Sequence, residues 1–267
     1  MTDIPLSTVF VPGRLGVRAR LDGERLTMHL DPRPEVLHHG IVRASVLAFA
    51  IDAIAGIEVD DDPTQWAFTT DLSLRMRPTP DPGPITATNE VVRAGRRSIT
   101  CAVELATAAG HLASGSIGFA RVPLRDGDPP KPAFTKAMAP AIFDLLPHLS
   151  SPLREEAGVV SVDPGAGVVE LAVTPQVTNP AGALQGAMVA LAVEAAAEDL
   201  VAAVAGNDVV VTDLDIRFVA GARVGPVRST ARLLGPSPHD GVEVRLHDRS
   251  NGALTTIAYA RAVPVGG

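Results

Sequence analysis

Cysteine and aromatic residues are scarce in this chain. Cys101 is the only cysteine among 267 residues, so no disulfide can form within the chain, and its cysteine usage gives no support for secretion. Phe, Trp and Tyr together make up 3% of the residues. With so few aromatic side chains, the sequence alone does not indicate which residues would stack on an aromatic ligand.

Long hydrophobic runs and an excess of basic residues are also absent. No apolar run reaches the ~18 residues of a membrane-spanning helix, and Met1–Pro5 lacks the basic and apolar regions of a signal peptide. The net charge of −7 argues against a nucleic-acid partner. Hydrophobic residues reach 46%, which is ample for a globular core. We therefore expect a cytoplasmic protein without a membrane or nucleic-acid partner.

Three familiar motifs of cofactor or nucleophile chemistry are missing as well. The chain has no Gly-rich phosphate loop, no Cys/His cluster with the spacing of a zinc site, and no Gly-x-Ser-x-Gly turn. We therefore expect neither a bound cofactor nor a metal ion.

The chain does contain an internal repeat. Residues 70–75 read TDLSLR and residues 212–217 read TDLDIR, at an offset of 142. Further matches keep this offset without a gap from about residue 52 to residue 92. A register held over that length predicts two copies of one structural unit.

The repeat divides the chain into two domains and a linker. The predicted domains span residues 10–123 and 153–264. The linker, residues 124–152, begins with a polar, Pro-rich stretch. It continues with the amphipathic segment Met138–Leu149, which predicts a short helix.

Both domains have the same predicted order of elements. A short strand is followed by a long Ala-rich segment without Pro, Ile41–Ile57 in the first domain and Leu184–Val204 in the second, which predicts a buried helix. We expect Gly56 and Gly206 to end these helices. The predicted strands are Arg25–Leu30, Ala67–Met76, Pro84–Arg93, Ser98–Ala106 and Gly115–Val122, then Val168–Val173, Val209–Phe218, Gly225–Leu234, Val242–Asp248 and Leu254–Val263. The pattern predicts an α+β domain, with one long central helix wrapped by a curved antiparallel sheet.

The most specific motif lies at the start of the second helix. Residues 179–194 read NPAGALQGAMVALAVE. This segment resembles the active-site segment of hotdog-fold acyl-CoA thioesterases of the phenylacetyl-CoA and 4-hydroxybenzoyl-CoA type. Their pattern is roughly Asn-x-x-Gly-x-Leu-His-Gly-Gly, with Asp or Glu nine residues after the His. In this chain Gln185 stands at the His position, and Glu194 stands at the carboxylate position.

The first domain resembles the family less closely. Residues 43–56 read RASVLAFAIDAIAG, which is similar to a family helix that ends in Asp-Thr-Ala-Ala-Gly. Asp52 falls on the carboxylate position, whereas residues 43–45 replace the His-Gly-Gly. His38 and His39 lie just upstream, out of register.

The resemblance covers about 220 of the 267 residues and implies an architecture. Single hotdog domains of this family pair as dimers, with catalytic sites across the shared interface. Two fused hotdog domains would form that pair within one chain. Further association of the fused pair into a homodimer would also fit the family.

The resemblance also implies thioester hydrolysis, centred on Glu194. A carboxylate in an otherwise apolar helix is desolvated, which raises its pKa, so Glu194 can act as a general base on water or as a nucleophile. The backbone N–H of Gly186, at the predicted helix start, can stabilise an oxyanion. Asn179 can orient water or the carbonyl, and Gln185 can contact the substrate. We interpret Glu198, one turn after Glu194, as a solvated helix end.

Asp52 is the corresponding acid of the first domain. A carboxylate in an apolar helix either functions or pairs, and the available partners are Arg43, His38 and His39. If Asp52 is catalytic, the backbone N–H of Ala44 can serve as the oxyanion donor. His38 or His39 can then replace the missing Asn.

An arginine-rich turn predicts a site for the phosphates of CoA. Arg93, Arg96 and Arg97 lie within five residues between two predicted strands. Arginine binds phosphate through two parallel hydrogen bonds, so Arg96 and Arg97 are candidates for a phosphate clamp. The matching turn of the second domain, residues 235–240, has no Arg.

Two other functions remain open. A non-catalytic acyl-CoA or lipid-binding protein is compatible with Gln185 at the His position and with the weak first motif. An enoyl-CoA hydratase would pair the helix acid with a later His, which neither predicted helix contains. The sequence distinguishes neither the length of the acyl group nor CoA from an acyl-carrier protein.

Overall fold

The computed structural model describes residues 10–60, 62–127 and 130–266. The segment Met1–Pro5, used above to argue against a signal peptide, and residues 128–129 of the linker lie outside the described residues. Among the described helices, none combines the length and the hydropathy that a membrane span requires.

The described residues form fourteen strands and four α-helices. In chain order these are β1 (Val17–Asp22), β2 (Arg25–Leu30), β3 (Leu37–His38), β4 (Ile41–Val42), α1 (Ala44–Val59), β5 (Gln65–Met76), β6 (Ile85–Ala94), β7 (Ser98–Thr107), β8 (Gly110–Pro123), α2 (Ala139–Asp144), α3 (Leu153–Glu156), β9 (Val159–Asp163), β10 (Val168–Leu171), α4 (Gly186–Ala205), β11 (Val209–Phe218), β12 (Val227–Leu233), β13 (Val242–Asp248) and β14 (Ala253–Pro264). Strands β3 and β4 form a small hairpin of their own.

Twelve strands form one antiparallel sheet to which each half of the chain contributes six neighbouring strands. Their order is β1-β2-β6-β7-β8-β5-β11-β14-β13-β12-β10-β9. Helices α1 and α4 pack against each other and against the strands of their own halves. Both helices are rich in Ala and buried on most faces, as their lack of a polar stripe predicts. The two halves match the predicted domains in content, while the boundaries at residues 123 and 153 stay a prediction.

The repeated hexapeptide lies at the junction of the two halves. Residues 70–75 belong to β5 and residues 212–217 to β11, and these strands pair antiparallel. The register places Asp71 opposite Arg217 and Arg75 opposite Asp213. An acid near one end and an Arg at the other make the hexapeptide complementary to its own antiparallel copy. The repeat therefore carries the contact that joins the two halves.

Three details differ from the prediction. Helix α1 continues past Gly56 to Val59, because Gly56 keeps helical backbone geometry, whereas Gly206 ends α4 with a φ of 70°. Helix α2 ends before the exposed Leu145, because the approaching Pro147 disfavours helical geometry in the residue before it. The outer strands β1 and β9 were not among the predicted strands.

Candidate active site

A cavity of about 890 Å³ lies between the two halves of the chain. One face of α1 lines it from Phe49 to Ile57, with residues spaced one helical turn apart. The first half of β5, the loop that precedes α4 and the segment after β11 form the other walls. This volume lies within the range of small-molecule sites in proteins, so the cavity can hold a sizeable ligand.

Asp52 points into this cavity from the middle of α1. Thr69 on β5 donates a hydrogen bond of 2.8 Å from its hydroxyl to Asp52 Oδ1. Gln185 donates one of 3.0 Å from Nε2 to Oδ2 of the same carboxylate. All three residues line the cavity. The carboxylate is therefore fixed by one donor from each half of the chain.

Gln185 is itself held in place by the start of α4. It is the N-cap residue, and its side-chain Oε1 accepts a hydrogen bond of 2.6 Å from the backbone N–H of Ala187. This bond leaves Nε2 directed at Asp52. The single amide group of Gln185 thus serves both contacts, since its oxygen accepts from the helix start and its nitrogen donates to Asp52.

Gly186, the first residue of α4, lies beside Asp52. A Cβ placed on Gly186 would lie 3.7 Å from Asp52 Oδ2, so the glycine leaves the space between the helix start and the carboxylate open. Within the part of the chain that the structure describes, the Gly186 N–H donates no hydrogen bond. A free N–H at a helix N-terminus, where the helix dipole is positive, is a site for a developing negative charge. We call Asp52, Thr69, Gln185 and Gly186 the open site.

The surroundings of Asp52 favour a basic carboxylate. Burial raises the pKa of Asp52 above the usual value for Asp, and the hydrogen bond from Thr69 offsets part of this rise. The carboxylate nevertheless borders the cavity, so it can meet a ligand or water there. A base with a raised pKa at the edge of a ligand cavity suits proton abstraction.

Asn179 also lines the cavity but is a turn residue as well. Its Oδ1 accepts a hydrogen bond of 3.1 Å from the Ala183 N–H, and its backbone closes the turn before α4. The amide nitrogen stays available to the cavity. Asn179 can therefore position a ligand while it shapes the loop.

Glu194, by contrast, is buried away from the cavity. It is 1% exposed and does not belong to the residues that line the cavity. Its Oε1 accepts a hydrogen bond of 2.8 Å from the Ala44 N–H, and its Oε2 accepts one of 2.5 Å from the Ser45 hydroxyl. The N–H at the start of α1, which corresponds to Gly186 in the repeat, is thus occupied by the protein itself.

Glu198 completes this buried cluster with Arg43. Arg43 Nη1 donates a hydrogen bond of 3.1 Å to Glu198 Oε2 and lies 3.7 Å from Glu194 Oε2. The prediction that Glu198 is a solvated helix end is wrong, because this carboxyl is 4% exposed. Burial raises the pKa of both Glu194 and Glu198, and the positive charge of Arg43 offsets part of this rise in each. We call Arg43, Ala44, Ser45, Glu194 and Glu198 the closed site.

The two histidines lie outside the cavity. His38 Nε2 is 3.6 Å from Glu198 Oε2, and burial together with Arg43 lowers the pKa of His38 to about 4. His38 is therefore neutral near pH 7. His39 is exposed, adopts a φ of 51° in the turn between β3 and β4, and lies 3.7 Å from Asp208. Neither side chain approaches Asp52 in the cavity, so the predicted pairing of Asp52 with Arg43, His38 or His39 is wrong.

Asp52 and Glu194 each lie beside the first residue of the long helix in the other half of the chain. Glu194 and Gly186 are eight residues apart on one helix, which separates them by about 12 Å along its axis. The expectation that they share one site is therefore wrong. The structure places Gly186 with Asp52, and Ala44 with Glu194. Each site combines the acid of one half with the helix N-terminus of the other, as the family resemblance implies for the interface.

The acidic side chains of the two sites differ in length, because Asp52 is one methylene group shorter than Glu194. Glu194 is long enough to reach the Ala44 N–H, whereas the shorter Asp52 leaves the Gly186 N–H free. At the position of Gln185 the first domain has Arg43, whose charge binds the buried acids. The repeat thus contains one site open to a ligand and one filled by its own ion pairs.

Thr69 is the one residue of the open site that the sequence reading missed. It directly precedes the repeated hexapeptide, and its counterpart at the offset of 142 is Val211. A polar residue in one copy where the other copy has Val is a signal that a comparison of the two copies can detect.

The arginine turn lies apart from the cavity lining. Arg93, near the end of β6, and Arg96 and Arg97, on the turn between β6 and β7, are exposed, and none of them lines the cavity. The arginine that does line it is Arg223, which donates a hydrogen bond to the carbonyl of Ala181 at the cavity edge. Over the described ranges, no group of three His, Cys, Asp or Glu side chains is placed to hold a metal ion.

Comparison with known proteins shows similarity at the level of structure. No protein-family model matches the chain, and no curated protein matches it. The tesB protein of Mycobacterium avium subs paratuberculosis is 12% identical with a TM-score of 0.62, over 96% of this chain and 98% of that one. An acyl-ACP thioesterase from Bacteroides thetaiotaomicron is 13% identical with a TM-score of 0.61, over 89% and 97%. A protein with a hot dog fold from Alicyclobacillus acidocaldarius is 12% identical with a TM-score of 0.58, over 96% and 98%.

These similarities establish the fold. Each extends over nearly the whole of both chains, so the two halves together correspond to these proteins. The predicted α+β architecture of two fused hotdog domains is confirmed. At identities of 12 to 13% the likeness stops at the fold, and the phenylacetyl-CoA and 4-hydroxybenzoyl-CoA type stays a prediction.

Proposed function

We propose that this chain hydrolyses an acyl-CoA thioester to the free acid and CoA, with Asp52 as the general base of the open site. One observation carries the proposal. A basic carboxylate, fixed by Thr69 and Gln185, lies beside a free helix N-terminal N–H at a cavity large enough for an acyl thioester. These are the groups that thioester hydrolysis requires.

The proposed reaction begins with a water molecule between Asp52 and the thioester carbonyl carbon. Asp52 takes a proton from this water as its oxygen forms a bond to the carbon. The tetrahedral intermediate then expels the thiolate as the C–S bond breaks, and the proton on Asp52 returns to the sulfur. We assign a base rather than a nucleophile because the two hydrogen bonds hold the carboxylate in place while each oxygen keeps a second lone pair that can accept from a water molecule.

The helix start stabilises the negative charge of the intermediate. The Gly186 N–H and the positive end of the α4 dipole face the position of the carbonyl oxygen. A donor of this kind is typically worth about 3–4 kcal/mol of transition-state stabilisation. Asn179 is placed to orient the water or the thioester from the neighbouring turn.

The proposed catalytic base is thus Asp52 and not Glu194, on which the sequence analysis centred the reaction. In the closed site Glu194 accepts the hydrogen bond of the Ala44 N–H, the donor that would otherwise bind the oxyanion. Arg43 and Glu198 fill the space around this carboxylate. We therefore propose a structural role for Glu194 and one active site per chain. The thioesterase with a similar fold from Bacteroides thetaiotaomicron acts on acyl-ACP, which is compatible with thioester hydrolysis by this chain. Association of two fused chains into a homodimer stays a prediction.

A thiol-release assay tests the proposal directly. Purified protein should release free thiol from at least one member of a panel of short, medium, long and aryl CoA thioesters, and a thiol reagent detects the product. Acyl-CoA binding by calorimetry without any thiol release would contradict the proposal and favour the non-catalytic binding protein. Hydration of an enoyl-CoA would favour the hydratase.

Arg223 offers a second test, on the carrier part of the substrate. We expect Arg223→Ala to raise KM for a CoA thioester roughly tenfold with little change in kcat, because an Arg at the cavity edge can bind a phosphate of CoA. An N-acetylcysteamine thioester lacks these phosphates and should show no such change. Arg96→Ala with Arg97→Ala, measured in the same assay, tests the predicted clamp. A larger KM effect in that pair than in Arg223→Ala would assign the phosphates to the turn.

A further inference from the structure

The few aromatic residues of the chain converge on the cavity. The sequence contains seven Phe, one Trp and one Tyr. All seven Phe and the single Trp66 line the cavity, and only Tyr259 lies elsewhere, exposed on β14. In a chain with 3% aromatic residues, this concentration at one cavity marks a binding surface for a large apolar group.

The aromatic residues are unevenly distributed around Asp52. Six come from α1, β5, β8 and the linker, on the side of the first half: Phe49, Trp66, Phe68, Phe119, Phe134 and Phe143. The second half adds Phe218 and aliphatic residues, and it also contributes the polar groups of Asn179 and Arg223 on loops and of Thr256 on β14. We call the aromatic-rich wall from the first half and the linker the apolar side, and the wall that carries Asn179, Arg223 and Thr256 the polar side.

The linker forms part of the apolar side. Five linker residues line the cavity there, and we call them the linker wall: Pro130, Lys131, Pro132, Phe134 and Phe143. Phe143 packs against Phe49 of α1, with ring centroids 6.5 Å apart. Trp66 and Phe68 stack at 5.8 Å on the facing strand. The wall has no counterpart in the domain repeat, because it lies between the two copies.

Two lysines of the linker, Lys131 in the wall and Lys136 just after it, hold this segment against the end of α1. They are the only lysines of the sequence. Lys131 Nζ lies 2.7 Å from Asp60 Oδ1 and also donates to the carbonyls of Asp62 and Gln65, while its side chain is 8% exposed. Lys136 Nζ donates to Glu58 Oε1 at 2.9 Å. The wall is thus held at a defined distance from α1.

We propose that the linker wall binds the acyl group of the substrate, which is a large apolar chain of medium or greater length. Phe134 and Phe143 then set the preference for acyl size. This inference rests on the proposed thioester hydrolysis and on the assignment of the polar side to the carrier. A buried methylene is worth about fourfold in affinity, so an acyl chain that reaches the wall gains strongly over a short one.

Gly56 provides a test that does not remove core atoms. It lies one turn after Asp52 on the cavity-lining face of α1, and no atom lies within 4 Å of a Cβ placed on it. Its backbone is helical, so a larger residue causes no backbone strain. The substitution Gly56→Leu therefore fills part of the apolar side without disturbing the fold.

The experiment compares lauroyl-CoA with butyryl-CoA. For the wild type we expect kcat/KM for lauroyl-CoA to exceed that for butyryl-CoA at least roughly tenfold. Gly56→Leu, Phe134→Ala and Phe143→Ala should each lower this ratio several-fold, because they fill or remove the surface that holds the distal carbons. Tyr259→Ala, the aromatic residue outside the cavity, is the matched control and should keep the wild-type ratio.

Binding is measured separately from turnover. Trp66 is the sole tryptophan and lines the apolar side, so its fluorescence reports on occupancy there. Non-hydrolysable lauroyl and butyryl thioether analogues of CoA serve as probes, and we expect the lauroyl analogue to change Trp66 emission and to bind at least tenfold more tightly. Equal affinities, an unchanged Trp66 emission, or ratios that stay at the wild-type value in all three cavity variants would overturn the inference. Binding of this kind without hydrolysis would reject the proposed function and keep the inference.

Discussion

Asp52→Asn should lower kcat for thioester hydrolysis by about 10²–10⁴-fold while the acyl-CoA still binds. The amide has the size of the carboxylate and can still accept a hydrogen bond from Thr69 or Gln185, so the cavity keeps its shape. What it loses is the ability to take a proton from water. Steady-state thiol release gives kcat, and fluorescence titration with the thioether analogue gives the affinity of the same variant.

Glu194→Gln is the matched control for Asp52→Asn. It makes the same chemical change at the equivalent position of the repeat, in the closed site. We expect the folded protein to keep its kcat within a few-fold, because Glu194 does not reach the cavity. Loss of turnover in Glu194→Gln together with an active Asp52→Asn would reverse our assignment of the two sites.

The pH profile supplies a readout that a purely structural role of Asp52 would not give. Because burial raises the pKa of Asp52, the carboxyl is protonated, and therefore inactive as a base, up to a higher pH than an ordinary Asp. We expect kcat to rise with pH through an apparent pKa above the usual ~3.9 of Asp. The residual activity of Asp52→Asn should lack this acidic limb.

Strand and helix positions follow from local patterns that the tertiary structure preserves. The strands Arg25–Leu30, Val209–Phe218 and Val242–Asp248 have the bounds that alternation of apolar residues predicts. The hexapeptide repeat is recognisable in the sequence because its two copies pair antiparallel with each other. Each copy therefore carries an acid and an Arg at the same positions. The edge strand β9 escapes this reasoning, because it is largely exposed and its alternation has no core to follow.

The assignment of the acids could not be made from local patterns. Asp52 and Glu194 both lie in apolar helices, and a sequence does not show whether apolar neighbours enclose an acid or surround a cavity. The difference arises from contacts between residues some 130 to 150 positions apart, such as Gln185 with Asp52 and Ala44 with Glu194. The convergence of the Phe residues has the same origin, since they come from strands, helices and the linker.

Arg43→Met should lower the free energy of unfolding by about 3–5 kcal/mol. The apolar side chain keeps much of the volume of Arg43 but leaves two buried carboxylates, Glu194 and Glu198, without their cation. Glu198 Oε1 already has no hydrogen-bond partner in the described part of the chain. The cluster therefore offers no further donor that could replace Arg43 beside the two carboxylates. Urea denaturation measures the loss, and Arg97→Met on the exposed turn is the control, with an expected change within about 0.5 kcal/mol.

The pH dependence of this loss identifies the buried carboxylates as its cause. Burial raises the pKa of Glu194 and Glu198 in the folded state, and without Arg43 both values rise further. The folded variant therefore binds more protons than the unfolded chain above the unfolded pKa of about 4.3, so its stability falls as the pH rises through that window. Adding Glu194→Gln and Glu198→Gln to Arg43→Met should remove this slope and recover much of the stability. A loss that is independent of pH, or that persists in the triple variant, would mean that Arg43 stabilises the fold by packing instead of by charge.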